Sequence, residues 1–373
     1  MNGTRTILSV IGGLALIAVI AAGARSWGAW NRPLGLALDL PTSTATGVQA
    51  VAPTGTLEPG ITPSLPPRAT AAPAPLCGGP PVMTVLAIGS DTREDDYLYG
   101  LSDVMRIARV DFVTPRISVL DLPRDLWVEI PEIADHYGID HGKLNQAYFY
   151  GNPGMGYYKG PGEGPGLLAR TLQKNFGIAV DHYGAINMQT FVKMVNAVGG
   201  IDVYLPEDVD GRPVDDHTDD MGYFYSGQQH LDGDAALRLA RVRKKYTVFK
   251  RADNQNIVLC ALKDKLLTPA VLPKAPQIAQ SFFGSVQTDL SPAQIGQLAC
   301  LLPRVGEENL IFASVPQELF EQSQIYDPSI DNTTFVWDID RDVLQDYIQR
   351  FMAGEWPQPS SDGGPTCPPP QQP

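Results

Sequence analysis

Seven basic side chains lie between residues 238 and 251, and no acidic residue interrupts them. They are Arg238, Arg241, Arg243, Lys244, Lys245, Lys250 and Arg251. The whole chain carries a formal net charge of -13, so this cluster runs against the overall charge. The paired guanidinium groups of Arg241 and Arg243 suit the several oxygens of a phosphate better than a lysine point charge does. The stretch predicts a local phosphate site, although a solvated basic helix end has the same composition.

A phosphate site of this kind is completed by carboxylates that hold a cation. Asp91 and Arg93 directly follow the apolar run at 84–88, and Asp103 begins the next apolar stretch. Because ligand sites of α/β sheets lie at strand ends, we expect Asp91 and Asp103 to converge on one cation. Two carboxylates, with water and phosphate oxygens, are common ligands of magnesium. The competing interpretation is structural, with Asp91 capping a turn and Asp103 in a loop.

Further cations follow the third apolar segment. Arg124 and Asp125 end the segment DLPRDLW, and the segment HGKLNQAY offers Lys143 and Asn145. Taken singly, Arg124 resembles a strand-end ion-pair residue, and Lys143 a surface lysine whose stem covers apolar neighbours. Together with the two carboxylates and the basic cluster, they predict one site for a phosphorylated compound.

Composition limits the alternatives. The sequence pI is about 4.8, and the 373 residues include 33 prolines and 36 glycines. An acidic chain without zinc-finger, RNA-binding or helix-turn-helix signatures is not expected to bind nucleic acid. With 43% hydrophobic residues, the chain can still bury a sizeable core.

Apolar periodicity predicts strands that alternate with helices. Strands are predicted at 83–90, 103–112, 116–122, 182–187, 201–205 and 309–315. Helices are predicted at 165–176, 188–198, 232–241, 253–267, 291–302 and 340–352, with a surface loop at 206–230. This alternation indicates one layered α/β domain, which we assign to residues 83–355.

The amino-terminal region predicts a membrane anchor. Residues 7–24 carry no charge and approach the ~20 residues that cross a bilayer as a helix. Arg5, in the predicted cytoplasmic tail at 1–6, favours an amino terminus in the cytoplasm and the rest of the chain outside it. The apolar run exceeds the roughly 7 to 15 residues of a signal-peptide core, which favours an uncleaved signal anchor. The alternative is a signal peptide cleaved near Ala22-Gly23-Ala24.

Two segments flanking the domain are predicted to be extended or disordered. Residues 25–82 are assigned to a linker rich in Pro, Thr and Ala. Its proline-rich part, 41–82, would reach on the order of 120 Å as a polyproline helix. Residues 356–373, rich in Pro, Ser and Gly, are predicted to be a disordered tail.

The cysteines are Cys77, Cys260, Cys300 and Cys367, which show no metal-binding C-x-x-C spacing. An even number permits disulfides in an extracytoplasmic domain. The preferred pairing joins Cys260 to Cys300 and Cys77 to Cys367, while buried or free thiols are equally compatible with the sequence.

Seven segments, in this order, resemble the LytR-CpsA-Psr family. They are TVLAIGSDTR, LSD, ISVLDLPRD, KLNQAYFYG, VNAVGGIDVYLP, GQQHLDGDAALRLARVR and the closing R-x-x-x-Q at Arg251 and Gln255. The resemblance covers about 83–267 and continues more weakly to about 352. The predicted anchor and linker are also similar to that family's architecture.

The resemblance implies a layered α/β/α sandwich around a mixed central sheet, with a polyprenyl pyrophosphate held at the site and its lipid tail in an apolar tunnel. It implies a Mg²⁺-dependent phosphotransferase, with Mn²⁺ as a substitute, at the outer face of the cell membrane. The donor would be a polyprenyl-pyrophosphate-linked glycan and the acceptor a cell-wall glycan, joined through a phosphodiester.

The resemblance also implies a role for each candidate residue. Asp91 and Asp103 would bind the metal. Arg124, Arg241 and Arg243 would be catalytic. The pyrophosphate would be held by Arg93, Lys143, Arg251 and Gln255.

Three positions depart from the family pattern. Leu101 stands where the family usually has an arginine, Val248 replaces an aspartate, and Asn254 replaces a second arginine. These departures keep two alternatives open: a noncatalytic polyprenyl-phosphate-binding or regulatory module, and a pyrophosphatase that releases polyprenyl phosphate without a glycan acceptor.

Overall fold

The structure is a computed structural model. It describes residues 30–40, 73–92, 97–133, 138–216, 218–243, 248–274, 277–278, 282, 284–357 and 367. The predicted anchor at 7–24 and the candidate Arg93 lie outside these residues. Within the described part of the chain, no helix is long and apolar enough to cross a membrane.

Strands and helices alternate along most of the domain. The strands are β1 (Val82–Ser90), β2 (Ser102–Asp111), β3 (Arg116–Asp121), β4 (Trp127–Glu129), β5 (His141–Lys143), β6 (His182–Asn187), β7 (Ile201–Leu205), β8 (Val209–Asp210), β9 (Tyr223–Phe224), β10 (Gly227–Leu231), β11 (Gln287–Thr288), β12 (Leu310–Ala313), β13 (Glu321–Asp327) and β14 (Asn332–Asp338). The helices are α1 (Leu144–Gly151), α2 (Glu163–Phe176), α3 (Met188–Ala197), α4 (Gly233–Arg241), α5 (Val248–Leu267), α6 (Pro292–Leu301) and α7 (Arg341–Ala353).

The centre of the domain is a six-stranded sheet in the order β11-β6-β1-β2-β3-β12. Strand β1 is antiparallel to β2 and parallel to β6, while β3 is antiparallel to β2 and parallel to β12. The predicted mixed central sheet is therefore confirmed. The near-continuous apolar sequence of β1 is explained by its place inside the sheet, where both of its faces are covered.

Alternating residues of β1 face two different layers of helices. Leu86 and Ile88 belong to a core shared with α1, α2 and α7. Met83 and Val85 belong to a second core that includes residues of α5 and α6. The period-2 direction of side chains along a strand thus separates two helical layers, one on each face of the sheet.

A third core joins α3, α4 and α5 to the hairpin β7–β10. Side chains cap two of these helices: Asn187 accepts the Thr190 N–H at 2.7 Å, and Asp232 accepts the Ala235 N–H at 2.8 Å. Such caps satisfy backbone donors that have no partner within the first turn of a helix. The second cap fixes the start of α4, the helix that ends at Arg241.

Several element boundaries differ from the sequence prediction. Helix α5 begins at Val248 rather than at residue 253, and the predicted loop 206–230 contains β8, β9 and most of β10. The hairpin β13–β14 was not predicted. Its strand β13, EQSQIYD, is largely polar and exposed, so it has little of the apolar alternation that marks a half-buried strand.

The disulfides correct the preferred pairing. Cys77 is bonded to Cys300 and Cys260 to Cys367, with Cα–Cα distances of 5.9 Å and 5.4 Å. The predicted pairs Cys260–Cys300 and Cys77–Cys367 are wrong because the pairing depends on which helix reaches which edge of the domain. Cys367, within the predicted disordered tail, is 2% exposed in the core beneath α5 and α6.

Candidate functional site

A cavity of about 540 Å³ lies between the central sheet and the layer formed by α3, α4 and α5. Its lining on β1 and β6 extends from Ser90 and Asn187, at the strand ends, back to Ala87 and Gly184. Three residues of a strand correspond to about 10 Å. The cavity is therefore a channel along the sheet rather than a shallow surface depression.

The two ends of this channel differ in chemistry. One end is lined by Asp103, Arg241, Arg243, Arg251 and Gln255. The lining further along includes Gly184, Val258, Leu259 and Val286, and is apolar apart from Arg106, which is level with Gly184 in the sheet. Arg251 and Leu259 both come from α5, and eight residues of helix separate them by about 12 Å. We call these the charged end and the apolar end of the cavity.

The structure brings Asp91 and Asp103 together beside the charged end. The Leu101 N–H donates to Asp91 Oδ1 at 2.7 Å, and the Asp91 N–H donates to the Leu101 carbonyl at 3.0 Å. Burial raises the pKa of Asp91, and the negative charge of Asp103 adds to this rise. The Leu101 hydrogen bond, Arg124 and Arg241 oppose the rise without cancelling it. The two carboxylates are thus near enough to repel each other.

This pair has the donor chemistry that a hard divalent cation requires. Carboxylate oxygens suit Mg²⁺ or Mn²⁺, and a cation between the carboxylates would relieve the repulsion that raises the pKa of Asp91. The described residues contain no group of three or more His, Cys, Asp or Glu that could hold a metal. An ion held by Asp91 and Asp103 would leave further ligand positions for water or phosphate oxygens.

Arg124 and Lys143 lie outside the cavity wall. A series of ion pairs connects them to Asp103. Arg124 Nη1 pairs with Asp103, and its Nε donates to Asp125 Oδ2 at 3.1 Å. Lys143 Nζ donates to Asp125 Oδ1 at 3.1 Å. Burial lowers the pKa of Arg124, but Asp103 and Asp125 together raise it further than burial lowers it. Arg124 therefore stays charged while it orients Asp103.

The basic residues of the charged end come from two helices. Arg241 ends α4 and Arg243 follows it, exposed, while Arg251 and Gln255 lie on α5. Gln255 Nε2 donates to the Ala240 carbonyl at 3.2 Å, which ties α5 to α4. Packing of α4 against α5 therefore places residues eight or more positions apart around one opening.

Arg251 is the most buried of these cations. Its Nη2 donates to the Asp103 carbonyl at 3.4 Å, and its side chain is 8% exposed. Burial lowers the pKa of Arg251, and nearby Arg124 and Arg243 lower it further. An arginine stays protonated at neutral pH despite such a shift, so the site holds an excess of positive charge that an anion would relieve.

Sequence reasoning missed several charged residues of the cavity wall, including Arg106 and Asp219. Arg106, 3% exposed, donates to Gln255 Oε1 at 3.1 Å and lies 3.4 Å from Asp121. An arginine in the middle of an apolar strand was the available signal. Asp219 lies in the predicted surface loop and pairs with Arg241 at 3.3 Å. No local pattern distinguishes it from the other aspartates of that loop.

Two of the three departures from the family pattern can be located. Leu101 contributes its backbone to Asp91, as described above. Asn254 is 1% exposed and is not part of the cavity wall. Val248 begins α5, and its side chain lies outside the described residues.

The family model named LytR_cpsA_psr matches residues 80–350, which include every element of the central sheet. The chain belongs to the LytR_cpsA_psr family. This confirms the resemblance drawn from the seven sequence segments.

Two curated relatives of this LytR_cpsA_psr chain are polyisoprenyl-teichoic acid–peptidoglycan teichoic acid transferases. TagU of Oceanobacillus iheyensis is 31% identical over 212 residues, which cover 56% of this chain and 59% of TagU. TagV of Bacillus subtilis is 31% identical over 209 residues, covering 56% of this chain and 49% of TagV. The match thus spans only about half of each relative's length.

Regulatory protein MsrR of Staphylococcus aureus is 26% identical over 236 residues, covering 63% of this chain and 64% of MsrR. The crystal structure of Bacillus subtilis TagV gives a TM-score of 0.55 at 24% identity, covering 74% of this chain and 97% of that chain. At this identity the structural likeness establishes the shared fold.

Proposed function

We propose that this chain transfers a glycopolymer from a polyprenyl-pyrophosphate carrier to the cell wall and leaves a phosphodiester link. The observation that carries the proposal is the cavity with its charged end and its apolar end. A polyprenyl pyrophosphate has the same two parts, a charged diphosphate and a long hydrocarbon chain. The names of TagU and TagV describe a transfer of this class, which supports the proposal for a family member.

The residues of the charged end have separable tasks in this proposal. Arg241 and Arg243 neutralise charge on the phosphoryl oxygens, and Arg251 with Gln255 holds the diphosphate from the α5 side. Arg124 orients Asp103 directly, and Lys143 supports this arrangement through Asp125. Phosphoryl transfer depends mainly on positioning and on charge neutralisation, so a preorganised cluster of arginines suits it. Arg93 is assigned to the same diphosphate on the resemblance alone.

The proposed reaction is a substitution at phosphorus. A hydroxyl oxygen of the acceptor glycan attacks the phosphorus that carries the donor glycan, and the new P–O bond forms the phosphodiester. The P–O bond to the bridging oxygen of the diphosphate breaks, and polyprenyl phosphate leaves with that electron pair. The hydroxyl proton passes to a base or to solvent.

Asp91 and Asp103 are the proposed ligands of Mg²⁺, or of Mn²⁺ in its place. The bound ion would supply additional positive charge to the diphosphate oxygens. The like-charge repulsion that helps to raise the pKa of Asp91 supports this assignment.

The proposed location is the outer face of the cell membrane, with residues 7–24 as a single-pass anchor. Two disulfides support an extracytoplasmic domain, because such bonds persist in oxidising compartments and are rare in the cytosol.

A noncatalytic binding or regulatory module is the second candidate. The substitutions at Leu101, Val248 and Asn254 favour it, as does the name of the relative MsrR. Asn254 favours it least, because its side chain is outside the cavity wall and so removes no visible contact there.

The test uses the full chain in detergent or vesicles, with a synthetic polyprenyl-pyrophosphate-linked oligosaccharide, peptidoglycan fragments, and Mg²⁺ added or withheld. Arg241→Ala and Asp103→Asn should each lower the transfer rate by about 100-fold or more, because each removes a preorganised charge. Arg350→Ala, on the distant helix α7, is the matched control and should transfer normally.

Three outcomes separate the candidates. Product linked to peptidoglycan supports the transferase. Free phosphorylated oligosaccharide, formed equally without acceptor, supports the pyrophosphatase. Donor binding without turnover at any Mg²⁺ concentration supports the noncatalytic module.

A further inference from the structure

Residues 30–40 pack against the domain, although they belong to the predicted linker at 25–82. Leu38 is 2% exposed and forms part of the main core. Arg170 Nη1 donates to the Leu38 carbonyl at 3.1 Å, the Tyr183 hydroxyl donates to the Leu36 carbonyl at 3.0 Å, and the Leu34 N–H donates to the Leu290 carbonyl at 3.2 Å. These contacts fasten the segment to α2, to β6 and to the chain between β11 and α6.

Three large apolar side chains of the same segment are exposed, together with Asn31, Arg32 and Asp39. Trp30, Leu34 and Leu36 are 54%, 44% and 55% exposed. Leu38, in contrast, is buried in the domain core. Trp30 lies next to α6, since a Cβ added at Gly296 would be 3.9 Å from the indole ring. Exposed apolar side chains gathered on a short segment commonly mark an interaction surface, and tryptophan favours membrane interfaces.

The length of chain before this segment identifies the partner. Only six residue steps separate Ala24, where the predicted membrane span ends, from Trp30. Fully extended, six residues cover at most about 20 Å. Because residues 30–40 are fixed to the domain, this distance, and not the length of the proline-rich stretch, limits how far the domain can stand from the bilayer.

We propose that residues 30–40 hold the β11–α6 edge of the domain against the lipid bilayer through Trp30, Leu34 and Leu36. Residues 41–72 would then connect two segments that both lie on the domain, one ending at Leu40 and one preceding Cys77, and would not set the distance between domain and bilayer. The proposal rests on the proposed function only in its use of the anchor at 7–24.

This placement has a consequence for the donor lipid. Gly184 and Val286 line the apolar end of the cavity, and Gly184 pairs with Thr288 of β11. The segment meets the same strand, because a Cβ added at Gly35 would lie 2.7 Å from the Thr288 carbonyl oxygen. The apolar part of the cavity is thus close to the edge that would rest on the bilayer, where a polyprenyl chain is dissolved.

The experiment measures the distance from the domain to the bilayer in vesicles that contain the full chain. A donor dye is introduced at the exposed Ala299 of α6 through a non-canonical amino acid, and an acceptor dye is carried by lipid headgroups. We expect efficient energy transfer in the native chain. Deleting residues 46–61 should leave the energy transfer unchanged, because the 16 residues that remain of 41–72 can still span about 50 Å.

Leu38→Asp should release residues 30–40 from the domain and lower the efficiency of energy transfer about twofold or more. The long proline-rich stretch would then set the distance between the domain and the bilayer. The double variant Leu34→Asp, Leu36→Asp alters only exposed side chains, so it tests the lipid contact without disturbing the core. It should also lower the efficiency of energy transfer. Ile330→Asp, an equally exposed apolar position in the turn between β13 and β14, is the matched control and should have no effect.

Weak energy transfer in the native chain would overturn the proposal. It would also be overturned if deleting residues 46–61 changed the energy transfer while Leu38→Asp did not. A chain that does not float with the vesicles would overturn both the anchor and the docking. If the native chain showed efficient energy transfer but no glycopolymer transfer, the result would contradict the proposed function and leave the proposed membrane contact standing.

Discussion

At the scale of single residues, the site is a network of paired aspartates and basic residues in which positive charge is in excess. Asp103 is held by Arg124 through its carboxylate and by Arg251 through its carbonyl. Arg106, three residues further along β2, donates a hydrogen bond to Gln255 on α5. A buried charge that loses its partners leaves the remaining groups unsatisfied, so these residues should matter for folding as well as for binding.

Arg106→Gln is expected to lower the free energy of unfolding by about 2 to 4 kcal/mol, because Asp121, Gln255 and Asn256 lose a common partner. Urea titration followed by circular dichroism measures the change. Arg341→Gln, at the exposed start of α7, should change the value by less than about 0.5 kcal/mol. An Arg106→Gln chain as stable as the native one would show that the arginine is not a structural element of α5 packing.

Asp253 predicts a pH dependence of stability. Burial raises the pKa of Asp253, Lys250 lowers it, Asp121 raises it and Arg106 lowers it, with a net rise. A raised carboxyl pKa contributes stability that is present below the unfolded value of about 4 and is lost as the pH rises through the folded value.

Asp253→Asn should therefore be more stable than the native chain at pH 7, and this advantage should disappear as the pH falls below about 4. Urea titrations at several pH values give the difference directly. Asp342→Asn, on the exposed face of α7, is the comparison variant for the same chemical change outside the site. A constant difference across the pH range would contradict the assignment to Asp253 ionisation.

At the scale of elements, β6 and α5 form opposite sides of the cavity. Gly184 of β6 faces the open space, since a Cβ added there meets no atom within 4 Å. The neighbouring Ala185 faces the opposite core and is fully buried. The period-2 alternation of the strand therefore decides which of two adjacent small residues controls the volume of the cavity.

Gly184→Leu should fill part of the apolar end and leave the fold intact. We expect the affinity for a long-chain polyprenyl pyrophosphate to fall about tenfold or more, because a cavity that is occupied by a side chain excludes the hydrocarbon. Affinity for inorganic pyrophosphate should be unchanged. Isothermal titration with both compounds makes the comparison, and Gln322→Leu on the exposed face of β13 is the control. Equal losses for both compounds would contradict a role limited to the lipid chain.

At the scale of the whole molecule, two disulfides fasten segments at both ends of the domain. Cys77, just before β1, is bonded to Cys300 at the end of α6, and Cys367 is bonded to Cys260 on α5. The second bond closes a separation of 107 residues. Its attachment to the helix that carries Arg251 links the carboxyl-terminal tail to the frame of the site.

Replacing Cys260 and Cys367 by alanine should lower the free energy of unfolding by about 3 to 5 kcal/mol, because the unfolded chain gains the freedom of a large loop. Urea titration of the native chain, with and without a thiol reductant, provides the reference. The reductant should destabilise the native chain more than the double variant, which retains only Cys77–Cys300. Equal effects of the reductant on both chains would contradict a contribution from the bond to Cys367.

The sequence alone determined the family, the alternation of strands and helices, and the basic stretch from Arg238 to Arg251. These properties are written in neighbouring residues, through period-2 and period-3.6 apolar patterns and through local charge. It could not determine that Asp91, Arg124 and Lys143 stand beside the cavity and not in its wall, nor that Arg106 supports α5. It also gave the wrong cysteine pairs and treated residues 30–40 as part of a linker.

Only the tertiary structure decided those points, because each depends on which faces of distant elements meet. The register of β1 against β6 places Gly184 on the cavity face, and the packing of α5 on the sheet brings Arg251 to Asp103. Leu38 is buried because α2 and β6 offer it a site more than a hundred residues away in sequence. Contacts over such separations depend on three-dimensional packing, which a one-dimensional pattern of residue types does not encode locally.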